Sequence, residues 1–171
     1  SQDTNDPSVR GIFNEIDVAA VTEVVSRATA AKLLPLHAVL PYMIARESGS
    51  CMFVTSEGGR VPTAGQTTVA LYAGGLVMTT KVIGKEMARH KVRVNCIAVT
   101  LIGESPSWDG FEGKIEMTDL HRAQYARIQQ RAPLGIANPE DIGGVAAFLA
   151  SEDSAFLTGS TLSPTGGLTF H

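Results

Sequence analysis

Two short apolar runs constrain the fold of this chain more than any other feature of its sequence. Residues 51–55 form an almost continuous apolar run, and residues 92–99 form a second and longer one. Such runs are typical of strands buried on both faces, as in a parallel sheet. Each run lies between longer segments of helical periodicity. The resulting order of helix, strand, helix, strand, helices and strand predicts an α/β fold with right-handed parallel crossovers.

The first helical pattern spans residues 17–46. Asp17 is expected to cap its N-terminus, and the glycine of Glu-Ser-Gly-Ser at Gly49 is expected to close its C-terminus. Pro35 and Pro41 lie inside the pattern or near its end. One kinked helix and two consecutive helices are both compatible with them.

Three further helices are predicted. The first spans about residues 68–89, and the second is a polar helix over residues 119–131. The third begins at Pro139, with Asn138 as its cap, and ends near residue 150. The arginines of the polar helix are expected on a solvated face: Arg122, Arg127 and Arg131.

The remaining segments are a loose arm over residues 1–9, an irregular stretch over residues 100–117 and a short last strand around Leu162. No linker divides the chain, so residues 1–171 are expected to form one domain. Only three strands are apparent in this pattern. The first strand would therefore offer an uncovered apolar edge.

Composition excludes several classes of function. A net charge of −3 argues against a mainly electrostatic nucleic-acid or anionic-membrane binder. No apolar run is long enough to predict a membrane span, and the first residues do not resemble a signal peptide. Cys51 and Cys96 lie inside apolar runs, which predicts buried free thiols. These observations favour a cytoplasmic protein.

Several segments resemble the short-chain dehydrogenases/reductases. Gly-Ser-Cys-Met-Phe-Val-Thr-Ser at residues 49–56, followed by Gly59, is similar to that family's segment GsIVniSS.aG. Residues 88–98 are similar to its segment A..gIRVNaiaPG, and residues 138–167 to its closing pattern. The matches run in family order over about residues 15–171. The resemblance implies the C-terminal portion of a Rossmann-like, doubly wound parallel sheet.

The resemblance also locates the family's four catalytic positions. The family uses a tyrosine as general acid/base, a lysine one helical turn later, a serine and an asparagine. Counting about 13 residues forward from Ser56, or about 26 back from Asn95, places the tyrosine position at Val69. The lysine position is then Ala73, and the asparagine position is near Ala28. Only Ser56 keeps the family's residue type, so a catalytically degenerate member is expected.

A dinucleotide site is not expected in this chain. Family members hold the pyrophosphate on a glycine-rich turn between a strand and a helix. The pair Gly58-Gly59 lies at the family's serine loop, and the pair Gly74-Gly75 lies inside a helical pattern. The family's nicotinamide-binding proline-glycine reads Val99-Thr100 here. NAD or NADP is therefore expected only where a partner or a missing half supplies the site.

Other candidate residues favour structural roles. Tyr72 and Lys81 are nine residues apart on one helix, so they should point to opposite sides and not form a catalytic pair. A serine at position 56 most simply caps its own turn. Trp108 lies where the family keeps its substrate lid, and either a surviving lid or a partner contact fits it. No metal site is expected from the four histidines, which are His37, His90, His121 and His171.

The leading hypothesis is a non-catalytic subunit that supports an active paralogue in a hetero-oligomer. The resemblance implies association through helices 17–46 and 68–89 and through strand 160–164. It also suggests dehydrogenases acting on CoA thioesters as the setting. Two alternatives remain: an NAD(P)-dependent oxidoreductase whose N-terminal cofactor-binding half is missing from this chain, and a small-ligand binding module that uses the lid pocket.

Overall fold

A computed structural model describes residues 7–114 and 116–170 of the chain. These residues form an α/β fold with one parallel sheet, as the order of sequence patterns predicted. Short 3-10 turns connect several of the elements. The helices and strands are α1 (Val18–Ala45), β1 (Gly49–Ser56), α2 (Thr67–Met87), β2 (Val92–Val99), α3 (Pro106–Phe111), α4 (Asp119–Arg131), α5 (Pro139–Ala150) and β3 (Thr161–Leu162).

The sheet has the strand order β1-β2-β3. β1 and β2 pair over eight residues, from Gly49 beside Val92 to Ser56 beside Val99. β3 covers only two residues of β2. The buried Asn95 of β2 strengthens this short pairing, because its Nδ2 donates to Leu157 O at 2.9 Å and its Oδ1 accepts from Ser160 N at 3.1 Å. Among the described residues, the outer side of β1 has no strand beside it.

The two faces of the sheet are covered unequally. On the face that carries α1 and α2, the side chains of Phe53, Cys96 and Leu76 are buried in one apolar cluster. On the other face, α5 covers Ile97, but Val54 of β1 remains 41% exposed. The prediction that the first strand is buried on both faces is therefore wrong for the Val54 side. A single short helix does not reach across that face to the edge strand.

Helix α1 begins as predicted and ends differently. Asp17 Oδ1 accepts from Ala19 N at 2.9 Å and from Ala20 N, so the predicted N-cap is confirmed. Both prolines lie inside one helix, which decides between the two alternatives left by the sequence. Gly49 does not close this helix, because Glu47 takes the left-handed conformation (φ 49°) and Gly49 begins β1. A Cβ on Gly49 would lie 2.6 Å from Met43 Sδ, so a larger residue there would require the methionine side chain to move.

Helix α1 also passes a length-and-composition test for a membrane span, which the sequence analysis did not anticipate. Its 28 residues contain an 18-residue window of mean hydropathy 1.2, and most of that window is exposed. A core helix of a soluble domain can pass the same test, so one such helix is weak evidence. Leu36 of α1 packs against Leu76 of α2 in the core cluster, which gives the helix a place within the α/β fold.

The N-terminal segment is more ordered than predicted. Residues 1–6 lie outside the described residues, but Val9 is fully buried against Val21 and Val24 of α1. Thr68 Oγ1 of α2 also donates to Val9 O at 2.6 Å. The predicted loose arm is therefore wrong at Val9, because this residue fills an apolar gap beside α1 and meets a buried hydroxyl.

The stretch over residues 100–117 contains a helix that the sequence pattern did not indicate. α3 starts at Pro106, and Ser105 Oγ caps it by accepting from Trp108 N at 3.2 Å. Arg122 of α4 is not solvated as predicted, because its Nη1 donates to Phe111 O at 2.9 Å at the end of α3. The bounds predicted for α4 and α5 are confirmed.

Candidate functional site

The structure brings Ser56 and Val69 together at the carboxyl end of β1. Gly58 lies between them: a Cβ there would be 2.9 Å from Val69 Cγ1 and 3.4 Å from Ser56 Oγ. Ala73 follows one turn later on α2, where the counting of family spacings places the lysine position. The candidate site is therefore a compact patch formed by the end of β1, the turn after it and the first turns of α2.

Ser56 serves its own turn in this patch. Its Oγ accepts a hydrogen bond from Gly58 N at 3.1 Å and caps the 3-10 turn Glu57–Gly59. A hydroxyl that caps a neighbouring amide in this way stabilises local backbone structure. This contact agrees with the structural role predicted for Ser56.

Val69 and Ala73 leave the patch without acid/base chemistry. Val69 is 2% exposed and Ala73 is completely buried. A Cβ on Gly59 would lie 2.5 Å from Ala73 C and Gly74 N, so the turn after β1 packs directly on the backbone of α2. Neither side chain carries a proton that could be exchanged, and the close packing excludes water. General acid/base catalysis needs both a titratable group and access to substrate.

The other residues considered for catalysis lie apart from this patch. Ala28 is half-buried in α1. Tyr72 packs against the core cluster of Phe53 and Leu76, and burial raises the pKa of its phenol while the nearby Arg10 lowers it. Lys81 is exposed on α2. Tyr72 and Lys81 therefore differ in burial.

A buried polar cluster near the patch was not anticipated from the sequence. Glu57 is 3% exposed and accepts a hydrogen bond from Ser163 Oγ. Arg60 Nη1 donates to the same Ser163 Oγ at 2.7 Å and lies 3.6 Å from Glu57 Oε1. The cluster fastens the turn after β1 to the segment after β3. More than one hundred residues separate these two segments, so no local pattern could have indicated the contact.

The thiols and histidines show no metal centre among the described residues. Both cysteines are free, and burial raises the pKa of the Cys96 thiol to about 11, so this thiol stays protonated at neutral pH. His37 is exposed, His90 is half-buried, and His171 lies outside the described residues. His121 is deeply buried in α4, and its ring centroid lies 6.4 Å from that of Tyr125.

The described residues do not fit a dinucleotide. A pyrophosphate needs free backbone N–H groups on a glycine turn that opens a helix. Gly58 N is already bonded to Ser56, and Gly59 is packed against α2. The other glycine pair, Gly74 and Gly75, lies within α2.

The fold defines a class: a parallel α/β domain of Rossmann-like type. The profile of a protein family described as "Enoyl-(Acyl carrier protein) reductase" matches residues 5–169. The chain belongs to the short-chain dehydrogenase/reductase family.

Individual relatives agree with this assignment. The chain is 36% identical over 133 residues to the "3-oxoacyl-[acyl-carrier-protein] reductase FabG" of Chlamydia pneumoniae, which covers 77% of this chain and 50% of that protein. It is 33% identical over 121 residues to the human "(3R)-3-hydroxyacyl-CoA dehydrogenase", covering 70% and 42% of the two chains. The crystal structure of YwfH, titled an NADPH-dependent reductase of bacilysin biosynthesis, is similar with a TM-score of 0.80 at 22% identity, covering 95% of this chain and 63% of that one. The chain thus spans about half the length of the curated relatives it matches.

Proposed function

We propose that this chain is a non-catalytic subunit that supports an active dehydrogenase paralogue in a hetero-oligomer. The observation that carries the proposal is the packing of Val69 and Ala73, which are buried hydrocarbon side chains at the positions assigned to the family's tyrosine and lysine. A chain with this patch keeps the family's helices and sheet but lacks a proton donor. The helices and sheet that it keeps then serve to bind the active paralogue.

Helix α2 offers a surface suited to assembly. Leu71, Met78 and Val82 are all exposed, and their spacing of seven and four residues places them on one stripe of the helix. Gly75 lies on the same stripe, and a Cβ there would meet no atom within 4 Å. A small residue at the centre of an apolar stripe leaves room for a partner helix to approach closely.

Helix α1 carries a similar stripe formed by Leu34, Ala38 and Tyr42. Single exposed apolar residues are common, but regularly spaced ones on two neighbouring helices favour an interaction surface. We assign this surface, over helices 17–46 and 68–89, to a second member of the family. The segment 160–164 is the second proposed contact, since β3 pairs with β2 over only two residues.

The names of the relatives support a substrate class for the active partner. One relative is named for 3-oxoacyl chains on acyl carrier protein and another for 3-hydroxyacyl-CoA. Both are acyl thioesters with an oxygen at the third carbon. We therefore propose that the active paralogue oxidises or reduces an acyl thioester, and that the complex is cytoplasmic.

An alternative keeps the enzyme class. The chain spans about half of the relatives, which supports an NAD(P)-dependent oxidoreductase whose cofactor-binding half is absent from this chain. Even then, Val69 and Ala73 predict no ordinary carbonyl reduction. A titration of this chain alone with NADH or NADPH distinguishes the two hypotheses. If the chain is a non-catalytic subunit, the fluorescence of the nucleotide should not increase. Saturable binding would support the alternative.

Association with a partner is tested by size-exclusion chromatography with mass measurement after co-expression with a full-length family member from the same genome. We expect a complex of two different chains, and a stable monomer that never joins the paralogue would sink the subunit proposal. Met78→Glu should dissociate the complex while leaving the circular dichroism spectrum unchanged. Phe13→Glu is the matched control, because Phe13 is also exposed but lies in the 3-10 turn before α1, outside both helices and outside segment 160–164.

A further inference from the structure

The outer side of β1 is open along the whole strand. β1 pairs with β2 over all eight of its residues, from Gly49 to Ser56, and no other described strand lies beside it. In a sheet, the backbone N–H and C=O groups of successive residues point to alternate sides of the strand. About half of these groups in β1 therefore point away from β2, and such a row of groups can pair with a further strand.

The two faces of β1 differ in how well they are covered. On the face of α1 and α2, the side chains of Phe53 and Thr55 are both buried. On the α5 face, Ser50 Oγ donates to Leu149 O at 2.7 Å, which holds the end of α5 at the start of β1. Val54, four residues further along, remains 41% exposed on that face. A partner that completes this edge must therefore bring an apolar layer to the α5 face as well as a strand.

Helix α1 indicates on which side of β1 a further strand belongs. α1 and α2 pack on the same face of the sheet, since Leu36 of α1 and Leu76 of α2 share one cluster with Phe53. α2 is the single helix that connects β1 to β2. A crossover made by one helix between neighbouring parallel strands is nearly always right-handed, so α1 is placed to connect a strand on the outer side of β1 to β1 itself. Residues 7–17, which precede α1, form 3-10 turns and no strand.

The similar proteins contain the additional chain that such a strand needs. The structure of YwfH matches 95% of this chain with a TM-score of 0.80, but the match covers only 63% of that structure. The match to the Chlamydia pneumoniae relative covers 50% of that protein. Each of them therefore has a further part outside the match. Because the motifs of this chain resemble the C-terminal portion of the family, that further part includes the N-terminal half.

We propose that the outer side of β1 binds the N-terminal half of a family member that is carried on a separate polypeptide. This half adds a parallel strand to β1 and a helix over Val54 on the α5 face. In strand addition of this kind, main-chain hydrogen bonds supply affinity and side chains on the sheet face select the partner. A full-length family member already has both halves in one chain, so it is not expected to bind here. The inference goes beyond the proposed function, because it uses none of the residues on the α1 and α2 stripes.

The test joins the N-terminal part of the Chlamydia pneumoniae relative, taken from outside the match, to the full chain through a cleavable linker. The fusion lets both parts fold together even where the added part is insoluble alone. After cleavage, we expect the two polypeptides to remain in one complex during size-exclusion chromatography. Hydrogen exchange should be slower at β1 in this complex than in the chain alone, because backbone groups on its outer side become bonded. The full-length relative, added separately, should leave exchange at β1 unchanged.

Val54→Lys, checked for folding by circular dichroism, should weaken the cleaved complex about tenfold, because a lysine on an edge strand opposes pairing. Dilution of the cleaved complex measures this change. Val82→Lys is the matched control, since Val82 is exposed to a similar extent, 49%, but lies on the α2 stripe. Val82→Lys should leave the cleaved complex intact and break association with the full-length paralogue. Val54→Lys should have the reverse pair of effects.

Several outcomes would contradict the proposal. The cleaved polypeptides could separate, or β1 could exchange in the complex as fast as in the chain alone. Equal slowing of exchange at β1 by the full-length relative would overturn the proposal as well. Protection of β1 that rises with the concentration of the chain alone and persists in the cleaved fusion without contact to the added half would assign the edge to a second copy instead. Failure of paralogue binding would leave all these outcomes unaffected, so the two proposals fail separately.

Discussion

Two regions near the start of α2 differ in whether their buried polar groups have hydrogen-bond partners. Around Val69 and Ala73, hydrocarbon side chains are packed against glycine backbone, and the one hydroxyl, on Ser56, is bonded to its own turn. Around Arg10 and His121, two buried donors have no acceptor. The first region is packed and satisfied as a piece of protein core, whereas the second leaves two buried nitrogens without a hydrogen-bond partner among the described residues. The comparison shows that buried polar groups are satisfied locally at the end of β1 but not between the N-terminal segment and α4.

The largest loss of stability is expected from placing a lysine at position 73, to which family spacing assigns the family's lysine. Ala73→Lys would place an ammonium group in a fully buried position without an anion, which we expect to destabilise the fold by about 4–5 kcal/mol. Urea denaturation of the purified variant measures the loss. Ala70→Lys is the control, because Ala70 is exposed on the same helix and should change stability by less than about 0.5 kcal/mol. A stable Ala73→Lys variant would show that the patch is open to water.

Gly59→Ala tests how tightly the turn after β1 packs against α2. The added methyl would lie 2.5 Å from the backbone of Ala73 and Gly74, so we expect a loss of about 3 kcal/mol. Gly75→Ala provides the opposite case: no atom lies within 4 Å, and alanine should stabilise the helix by about 0.5–1 kcal/mol. Thermal unfolding of the two variants measures both changes. Similar melting temperatures for them would contradict the tight packing.

The polar region should make stability depend on pH. The pKa of His121 is lowered to about 4 in the folded chain, below its ordinary value of 6.5. As pH falls below about 6.5, His121 takes up a proton in the unfolded chain but not yet in the folded chain. The free energy of unfolding therefore decreases. The loss should reach about 2 kcal/mol near pH 5, relative to neutral pH. Urea titrations at several pH values, compared with His121→Asn, isolate this contribution, and an unchanged slope in that variant would exclude His121 as its source.

The smallest expected effect concerns the contact that lies between the two regions. Thr68 Oγ1 donates to Val9 O at 2.6 Å, immediately before Val69 and one residue before Arg10. Thr68→Val preserves the shape of the side chain and should cost about 1 kcal/mol. Hydrogen exchange should then show faster opening of residues 8–12 and unchanged protection of β2. Uniformly faster exchange would mean that Thr68 supports the whole domain and not the N-terminal segment.

Much of the fold could be predicted from the sequence because its strands and helices are specified locally. The apolar run at 92–99 matches β2, and the patterns at 119–131 and 139–150 match α4 and α5. Asp17 caps α1 as expected, since an N-cap depends on neighbouring amides. Helix α3 escaped prediction because six residues are too few to show a periodicity.

The rest depends on contacts that sequence spacing does not encode. The exposure of Val54 depends on how far α5 reaches over the sheet, and the role of Gly49 depends on a side chain, Met43, of the preceding helix. Counting along the family pattern assigns Val69 and Ala73 to the catalytic positions, and this assignment stays a prediction. The pairing of Arg10 with His121 spans 111 residues, and nothing local to either residue indicates the other.

Within the described residues no strand covers the outer side of β1, and this has a consequence for the behaviour of this chain alone in solution. Its eight residues, Gly-Ser-Cys-Met-Phe-Val-Thr-Ser, include no charged residue and no proline. Charged residues and prolines are what natural edge strands use to block unwanted pairing between molecules. We therefore expect two copies of this chain to pair edge to edge, and to do so faster as concentration rises. If a partner covers β1, the copies of this chain made in excess of that partner are expected to aggregate.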